Sequence, residues 1–396
     1  MSKIDDMLAE LCPDGVEYRP LNEYLSYEQP GKYLVKSTDY SDDCATPVLT
    51  AGKTFVLGYT NETYGIYEAS PESPVIIFDD FTTAFKWVDF PFKAKSSAMK
   101  MLTLLPSCNA EFRYIYYAMQ TIKYVAVDHK RHWIAEYSQF EIPVPPLEVQ
   151  QEIVRILDSF AELEAELEVE LEARKKQYAY YRDRLIEGCR SSVEWLGLGL
   201  LGEFERGKRF TKADYRTSGI PSIHYAEVYT EYELATSRTV SCVREDMAGS
   251  LRYASQGDLV IACTGETKED IAKAIAWEGE GKVAVHDDCS ILHVGDKVMP
   301  RYLSYCFQTS RFSTEKQGLA TRGKNVRISA DRLSGIKVPV PSLDEQRRIV
   351  SILDKFSALT TSLTDGLPAE IEANRQRYEY YRDKLLDFPR KECVNA

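Results

Sequence analysis

The sequence predicts an α+β protein written twice, as two α+β domains that are each followed by a long helix, the two helices pairing as a coiled coil. Three observations predict it. The chain has 396 residues and 44% apolar side chains, too long for one ordinary domain and apolar enough to bury more than one core. The segment IPVPPLEVQQEIVRILDSF at 142–160 returns as VPVPSLDEQRRIVSILDKF at 338–356. Further on, QYAYYRDRLI at 177–186 returns as RYEYYRDKLL at 377–386.

This internal repeat orders the chain. The first block recurs at an offset of 196 residues and matches at Pro143/Pro339, Gln150/Gln346, Ile153/Ile349, Leu157/Leu353, Asp158/Asp354 and Phe160/Phe356. The second block recurs at 200, so the second copy carries four extra residues, about one helical turn. Val193-Glu194-Trp195 echoes Val16-Glu17-Tyr18, an entry segment for each copy. The predicted boundaries are a first mixed domain at 1–141, a helix at 142–187, a second mixed domain at 188–337 and a helix with the C-terminus at 338–396.

Within the mixed domains, the apolar runs Ser73 to Phe78 and Gly257 to Ala262 read as strands leading into polar loops. Glu111 to Thr121 and Pro300 to Phe312 read as helices. After each Pro pair the pattern changes to three- and four-residue steps. In the first copy the stripe is Ile153, Leu157, Phe160, Leu163, Leu167, Leu171, Tyr178, Tyr181 and Leu185. Roughly forty residues at ~1.5 Å each make a rod on the order of 60 Å. Ile349, Leu353, Phe356, Leu359, Leu363, Ile371, Tyr378, Tyr381 and Leu385 form the matching seam, interrupted where Gly366 and Pro368 break or kink the second helix. The competing reading packs each helix into its own domain. The YYRD blocks read equally as a partner-docking surface or a structural end-cap.

Composition limits the function. Acidic residues outnumber basic ones by 61 to 49, and 146–187 and 342–387 carry −7 of the −12 net charge. This composition by itself argues against a nucleic-acid reader, and any DNA binding would depend on local basic patches and on basic surface contributed by partners. No basic start followed by an apolar run opens the chain and no stretch approaches a membrane span, so a cytoplasmic protein is expected. Nine scattered cysteines without a CxxC read as reduced, mostly buried thiols.

Candidate DNA contacts fall in basic loops. Arg206, Lys208, Arg209 and Lys212 form one cluster. Lys316, Arg322, Lys324 and Arg327, with Asn325 among them, form a second, and His129-Lys130-Arg131-His132 a third. Arg131 falls opposite Arg327 when the copies are aligned on the Pro motif. Lys53 and Thr54 are further candidates. Lys, Arg, Asn and Thr side chains can hold phosphates and read base edges in the major groove.

Catalytic motifs fail one by one. Gly197 to Gly202 fits GxGxxG but lacks a buried strand before it and a helix after it. Thr50-Ala51-Gly52-Lys53-Thr54 imitates a P-loop, yet Pro47 stands where its first glycine must be. His129 and His132 lack a completing ligand set, so no metal site is assigned. Asp79-Asp80 and Asp287-Asp288 are neighbours, which on a strand point to opposite faces. No catalytic residue is assigned.

The motif P-x-P-x-L-x-x-Q-x-x-I-V-x-I-L-D-x-F, at 143–160 and 339–356, resembles the conserved regions of type I restriction–modification specificity subunits, and the repeat extends that resemblance over essentially the whole chain. Two departures are Val149 where the second copy has Glu345, and Leu367-Pro368 within the second rod. The resemblance implies two target-recognition domains separated by antiparallel helices, related by an approximate two-fold axis that suits duplex DNA. Each domain would face one half-site of a split target, half-sites on one face of the duplex lying about 34 Å apart per turn. It further implies a non-catalytic subunit without cofactors of its own. Its partners would be double-stranded DNA, two methyltransferase subunits docked on the helices and two restriction/translocase subunits, with S-adenosylmethionine, ATP and Mg in those partners. The target adenine would be extruded in the partners' active sites. A coiled-coil protein-binding adaptor without DNA specificity is the alternative.

Overall fold

In the computed structural model, which describes residues 3–52, 54–124, 130–188, 193–323, 325–361 and 366–391, the two apolar runs become central strands of two sheets with one order. Val75–Asp79 lies between Phe85–Val88 and Met99–Leu104, with Leu25–Glu28 outermost. Leu259–Ala262 lies between Ala274–Trp277 and Cys289–Val294, with Gly202–Arg206 outermost. Pairing in this shared order is antiparallel throughout. The second sheet adds Ala235–Thr236 as a parallel edge strand.

These strands read as unbroken apolar runs because both faces are covered. Ile76 and Phe78 enter a core with Tyr114 and Trp133, whereas Val75 and Ile77 enter another with Leu49 and Phe92. Leu259 and Ile261 against Val260 divide in the same way. The predicted entry segments also form strands, Glu17–Pro20 and Glu194–Gly197, each antiparallel to the strand that carries the first proline of the repeated motif.

Two compact units result, residues 1–166 with 371–396, and residues 167–370. The helix Leu147–Glu187 runs 41 residues and contributes its first half to one unit and its second half to the other. The second rod is two helices, Leu343–Thr361 and Leu367–Leu385. Gly366, at φ 83°, takes the left-handed conformation that glycine adopts freely, and Pro368 follows in the first turn of the new helix, where its missing N–H is harmless.

Both sequence readings of the rods hold, on different turns. Val149, Ile153 and Leu157 are fully buried in the first domain's core, as are Ile349 and Leu353 in the second's, each worth ~1.5–3 kcal/mol. Further along, Phe160 stacks on Tyr381 at 5.5 Å, and its counterpart Phe356 lies on Tyr181 at 6.1 Å. That exchange of partners is the reciprocity an antiparallel pair produces. The predicted seam needs correction at Leu163 and Leu359, which are 41% and 56% exposed. Polar contacts take over beside Leu163: Asn374 donates to the Phe160 carbonyl at 2.9 Å and Arg375 pairs with Glu164 at 2.6 Å. Leu167, Leu171 and Tyr178 are half-buried, and Leu363 lies outside the described residues. Burial of the cysteines is also less than expected. Of the seven described, all free thiols, Cys289 and Cys306 are buried and the other five are half-buried.

A buried lysine shapes the acid behaviour of the first unit. Glu62 pairs with buried Lys93 at 2.8 Å and accepts the backbone N–H groups of Lys36 and Ser37, and the lysine contact foremost holds its carboxyl down to about 2. A depressed carboxyl contributes stability that is complete above its ordinary value near 4.5 and lost as pH falls towards about 2. Urea unfolding at a series of pH values should show that loss, and Glu62→Gln should flatten it.

Candidate nucleic-acid interface

One side-chain framework sets the geometry of both domains. Tyr114 donates to the Pro143 carbonyl at 2.9 Å, and Tyr302 to the Pro339 carbonyl at 3.1 Å. Gln150 accepts from the Glu111 N–H and donates to Pro145, as Gln346 accepts from Met299 and donates to Pro341. Asp158 receives Arg113 and Tyr117, and Asp354 receives Arg301 and Tyr305. The Gln and Asp that recur in both copies of the motif therefore clamp the helix that covers each sheet.

The same framework brings the aligned arginines to matching places. The His132 N–H donates to the carbonyl of Asp80, just past the central strand, at 2.9 Å; the Ile328 N–H donates to that of Cys263 at 3.1 Å. Arg131 and Arg327, each one residue earlier, emerge exposed at the same end of their central strands.

In the second unit Arg327 has company. Arg206, at the end of its strand, donates to the Asp287 carbonyl at 2.9 Å and lies 3.5 Å from the Asp287 carboxylate. Arg327 lies 3.5 Å from the Asp288 carboxylate, which also accepts the Thr264 hydroxyl at 3.0 Å. The two arginines line one cleft of about 390 Å³ with Thr264, Ser290, Thr321 and Arg332. Lys208 and Arg209 follow Arg206 and are exposed. The segment is pinned to its neighbour by Gly207 N–H to Cys289 O, Lys208 N–H to Val285 O and the His286 ring to Phe210 O. A Cβ on Gly207 would meet the His286 and Val285 carbonyl oxygens at 2.2 and 2.4 Å. Gly207→Ala should therefore destabilise this unit by about 1–3 kcal/mol and weaken DNA binding, read by thermal unfolding and by titration of the assembled complex on DNA. Arg322 and Asn325 are exposed, the first in the strand that pairs with the one carrying Arg327 and the second just before that strand, and Lys324 lies outside the described residues.

Two members of the basic clusters are not surface cations. Lys316 is 6% exposed, donates to the Glu269 carbonyl at 2.7 Å, and burial pushes its ammonium down to about 8. His132 is 2% exposed, with its ring on the Tyr124 hydroxyl at 2.9 Å. A count of charges along the chain cannot separate these from their exposed neighbours. In the first unit Lys130, Arg131 and Thr54 are exposed, whereas Lys53 and His129 lie outside the described residues. Sequence reasoning passed over Tyr64, 86% exposed on a loop whose cleft includes Lys32, Lys36 and Lys93.

The acidic pairs serve structure. Asp79 caps a turn through the N–H groups of Phe81 and Thr82, and Asp80 is buried against Lys100 at 3.1 Å. Among the described residues, one group of three metal-ligating side chains converges, His286, Asp287 and Asp288. Both ring nitrogens of that histidine already bond to Phe210 O and the Asp288 N–H, and both carboxylates face arginines, so the group fits a folded turn better than a metal. The Gly197 to Gly202 stretch runs from strand through a 3-10 turn into another strand and offers no helix N-terminus to a phosphate.

Comparison with known proteins agrees with this arrangement. The family described as Type I restriction modification DNA specificity domain matches residues 13–173 and again 196–373. A type I restriction enzyme specificity subunit of Escherichia coli is 41% identical over 96% of this chain and 97% of its own. A putative type I restriction enzyme specificity subunit of Haemophilus influenzae is 30% identical over 94% and 96%. A solved structure described as showing complex assembly and conformational transition of the type I R-M system shares the fold, with a TM-score of 0.55 and 14% identity over 92% of this chain and 97% of that one.

Proposed function

The chain belongs to the type I restriction modification DNA specificity family, and from that premise we propose that it is the DNA sequence-specificity subunit of a type I restriction–modification complex, each α+β domain reading one half of a split target. The observation that carries this reading is the repetition of one clamp, Tyr114, Gln150 and Asp158 against Tyr302, Gln346 and Asp354, beneath strand ends whose exposed side chains differ. One frame holding two different loop surfaces is what a reader of two unlike half-sites needs. The adaptor alternative is not favoured, since the family that matches both halves is defined by DNA specificity.

In this reading the helix pair sets the unread spacer and docks two methyltransferase subunits, and two restriction/translocase subunits complete the complex. The exposed Tyr180 and Tyr380, next to the half-exposed Tyr181 and Tyr381, support a docking role for the YYRD blocks. Chemistry is assigned to the partners, with S-adenosylmethionine, ATP and Mg bound there. The use of Asp79, Asp80, Asp287 and Asp288 in caps and ion pairs supports a purely recognising chain. An acidic surplus of −12 fits DNA held largely by partners' basic surface. Among the described residues no helix is long and apolar enough to cross a membrane. The proposed DNA-reading role supports a cytoplasmic location.

Adenine-methylation mapping tests the proposal. DNA from cells expressing this chain with an active methyltransferase partner should carry a split motif with a fixed spacer, absent when the chain is absent; no chain-dependent methylation would overturn it. In the same assay, deleting one helical turn from the second rod should change the spacer by about one base pair or more and leave both half-site sequences intact. A change in the half-sites themselves would refute the spacing role.

A further inference from the structure

The edge of the sheet beside the central strand's end is built differently in the two units. In the first, the ladder pairs Glu28 with Met101, so Gln29 comes next, opposite Lys100; in the second, Glu205 pairs with Ile291 and Arg206 with Ser290. Gln29 thus holds the register place of Arg206. Running back from the matched strands Met99–Leu104 and Cys289–Val294, Ser97 and Ala98 hold the places of Asp287 and Asp288. Arg131 alone keeps a counterpart, Arg327. The second unit therefore carries one arginine and two carboxylates at a spot where the first has small or neutral side chains.

These four side chains form a single device. The Asp288 carboxylate is fixed by the Thr264 hydroxyl, and its N–H is fixed by the His286 ring at 3.2 Å. The other ring nitrogen of His286 holds Phe210, so the turn that carries both aspartates is tied to the segment that carries Arg206. Asp287 holds Arg206 twice, its carbonyl accepting the Nε–H at 2.9 Å and its carboxylate lying 3.5 Å from Nη2, whereas Asp288 meets Arg327 Nη2 at 3.5 Å, and the two arginine side chains stay 67% and 62% exposed. Contacts placed this way order a long side chain and leave terminal N–H groups of each guanidinium for a further partner. Two such forks facing one cleft can each make the bidentate contact to O6 and N7 that guanine alone offers in the major groove.

We propose that Arg206 and Arg327, positioned by Asp287 and Asp288, read guanine bases in the half-site of the second domain. The inference rests on the DNA-reading role proposed above and adds to it which residues read, which residues position them and which base they choose. Asp287 and Asp288 are positioning residues, so their replacement should relax base choice while leaving the fold intact. An Arg–guanine fork is worth ~1–3 kcal/mol of discrimination, or roughly 5- to 150-fold.

The test is methylation mapping of complexes assembled with the full chain and with Arg206→Gln, Arg327→Gln, Asp288→Asn and Arg327→Lys. The expected result has four parts. The unaltered chain yields a split motif whose second half contains G·C pairs. Arg327→Gln relaxes one such position by roughly 5- to 150-fold, and Arg206→Gln relaxes another. Asp288→Asn relaxes the same position as Arg327→Gln, to a smaller degree. Every variant keeps the first half-site and the spacer, an internal proof of folding, and Arg327→Lys retains binding with poorer base choice. A second half-site without G·C, or Arg206 and Arg327 variants with an unchanged motif, overturns the proposal while leaving the DNA-reading role standing. A relaxed first half-site would show that these residues serve the other domain and equally overturn it. Absence of any split motif with the unaltered chain would sink the DNA-reading role itself, and this inference with it.

Discussion

Lys100→Met is expected to destabilise the first unit by about 3–5 kcal/mol, because it strands a carboxylate in the core. Lys100 and Asp80 are 2% and 1% exposed, 3.1 Å apart, at the end of the central strand. Asp80 has a second duty: it accepts the Trp133 N–H on its side chain at 2.8 Å and the His132 N–H on its carbonyl at 2.9 Å. Trp133 packs on Phe78 at 5.0 Å, so the loop that presents Arg131 hangs from this one aspartate. With the ammonium gone, the carboxylate must take up a proton or admit water, and either course loosens the loop. The second unit solves the same position without charge. The register places of Asp80 and Lys100 are held by Cys263 and Ser290, which bond to each other at 3.2 Å. The pair is therefore replaceable as a pair. Asp80→Asn with Lys100→Met keeps an acceptor for Trp133 and removes both charges, and should recover most of the loss. Urea unfolding followed by hydrogen exchange at Val75–Asp79 measures this; a neutral Lys100→Met, or a double variant no better than the single one, would show that the ion pair does not hold the loop.

Much of this architecture is legible in the sequence, and the reason is physical. The rods announce themselves because an exposed helix must repeat its apolar residues at helical spacing, and the central strands because a strand covered on both faces has no reason to alternate. The break near Gly366 follows from backbone freedom alone. Other features depend on pairing across the chain. That Asp80 meets Lys100, that Lys316 turns inward to Glu269, or that Asp287 and Asp288 face Arg206 and Arg327 depends on tertiary pairing between segments up to 81 residues apart, and no local pattern encodes it. The same limit explains Leu163 and Leu359, whose helical spacing is right but whose turns are bridged by Asn374 and Arg375 or left open to solvent.

Asp158→Asn and Asp354→Asn should each weaken their own unit by about 1.5–3 kcal/mol, the range for a hydrogen bond to a charged group. Arg113 meets the Asp158 carboxylate at 2.9 Å, and the Tyr117 hydroxyl donates to the same oxygen. In the other copy Arg301 meets Asp354 at 3.0 and 3.1 Å, and the Tyr305 hydroxyl donates at 2.6 Å. Burial, with the carboxylate beside it, drives both tyrosine pKa values far above normal, so each stays a donor at any working pH. Because tyrosine and arginine share one acceptor, the bonds should not add. Tyr117→Phe on top of Asp158→Asn should cost less than the sum of the two single changes, and Tyr305→Phe with Asp354→Asn likewise. The functional consequence separates the copies. Each aspartate joins a rod to the helix that covers one sheet, so Asp158→Asn should lower methylation that depends on the first half-site motif, Asp354→Asn that which depends on the second, and neither should alter which bases are chosen. Equal double-mutant coupling in both copies, with sequence choice untouched, is what a shared clamp beneath two different readers requires; a change of motif from either substitution would place the clamp inside the reading surface instead.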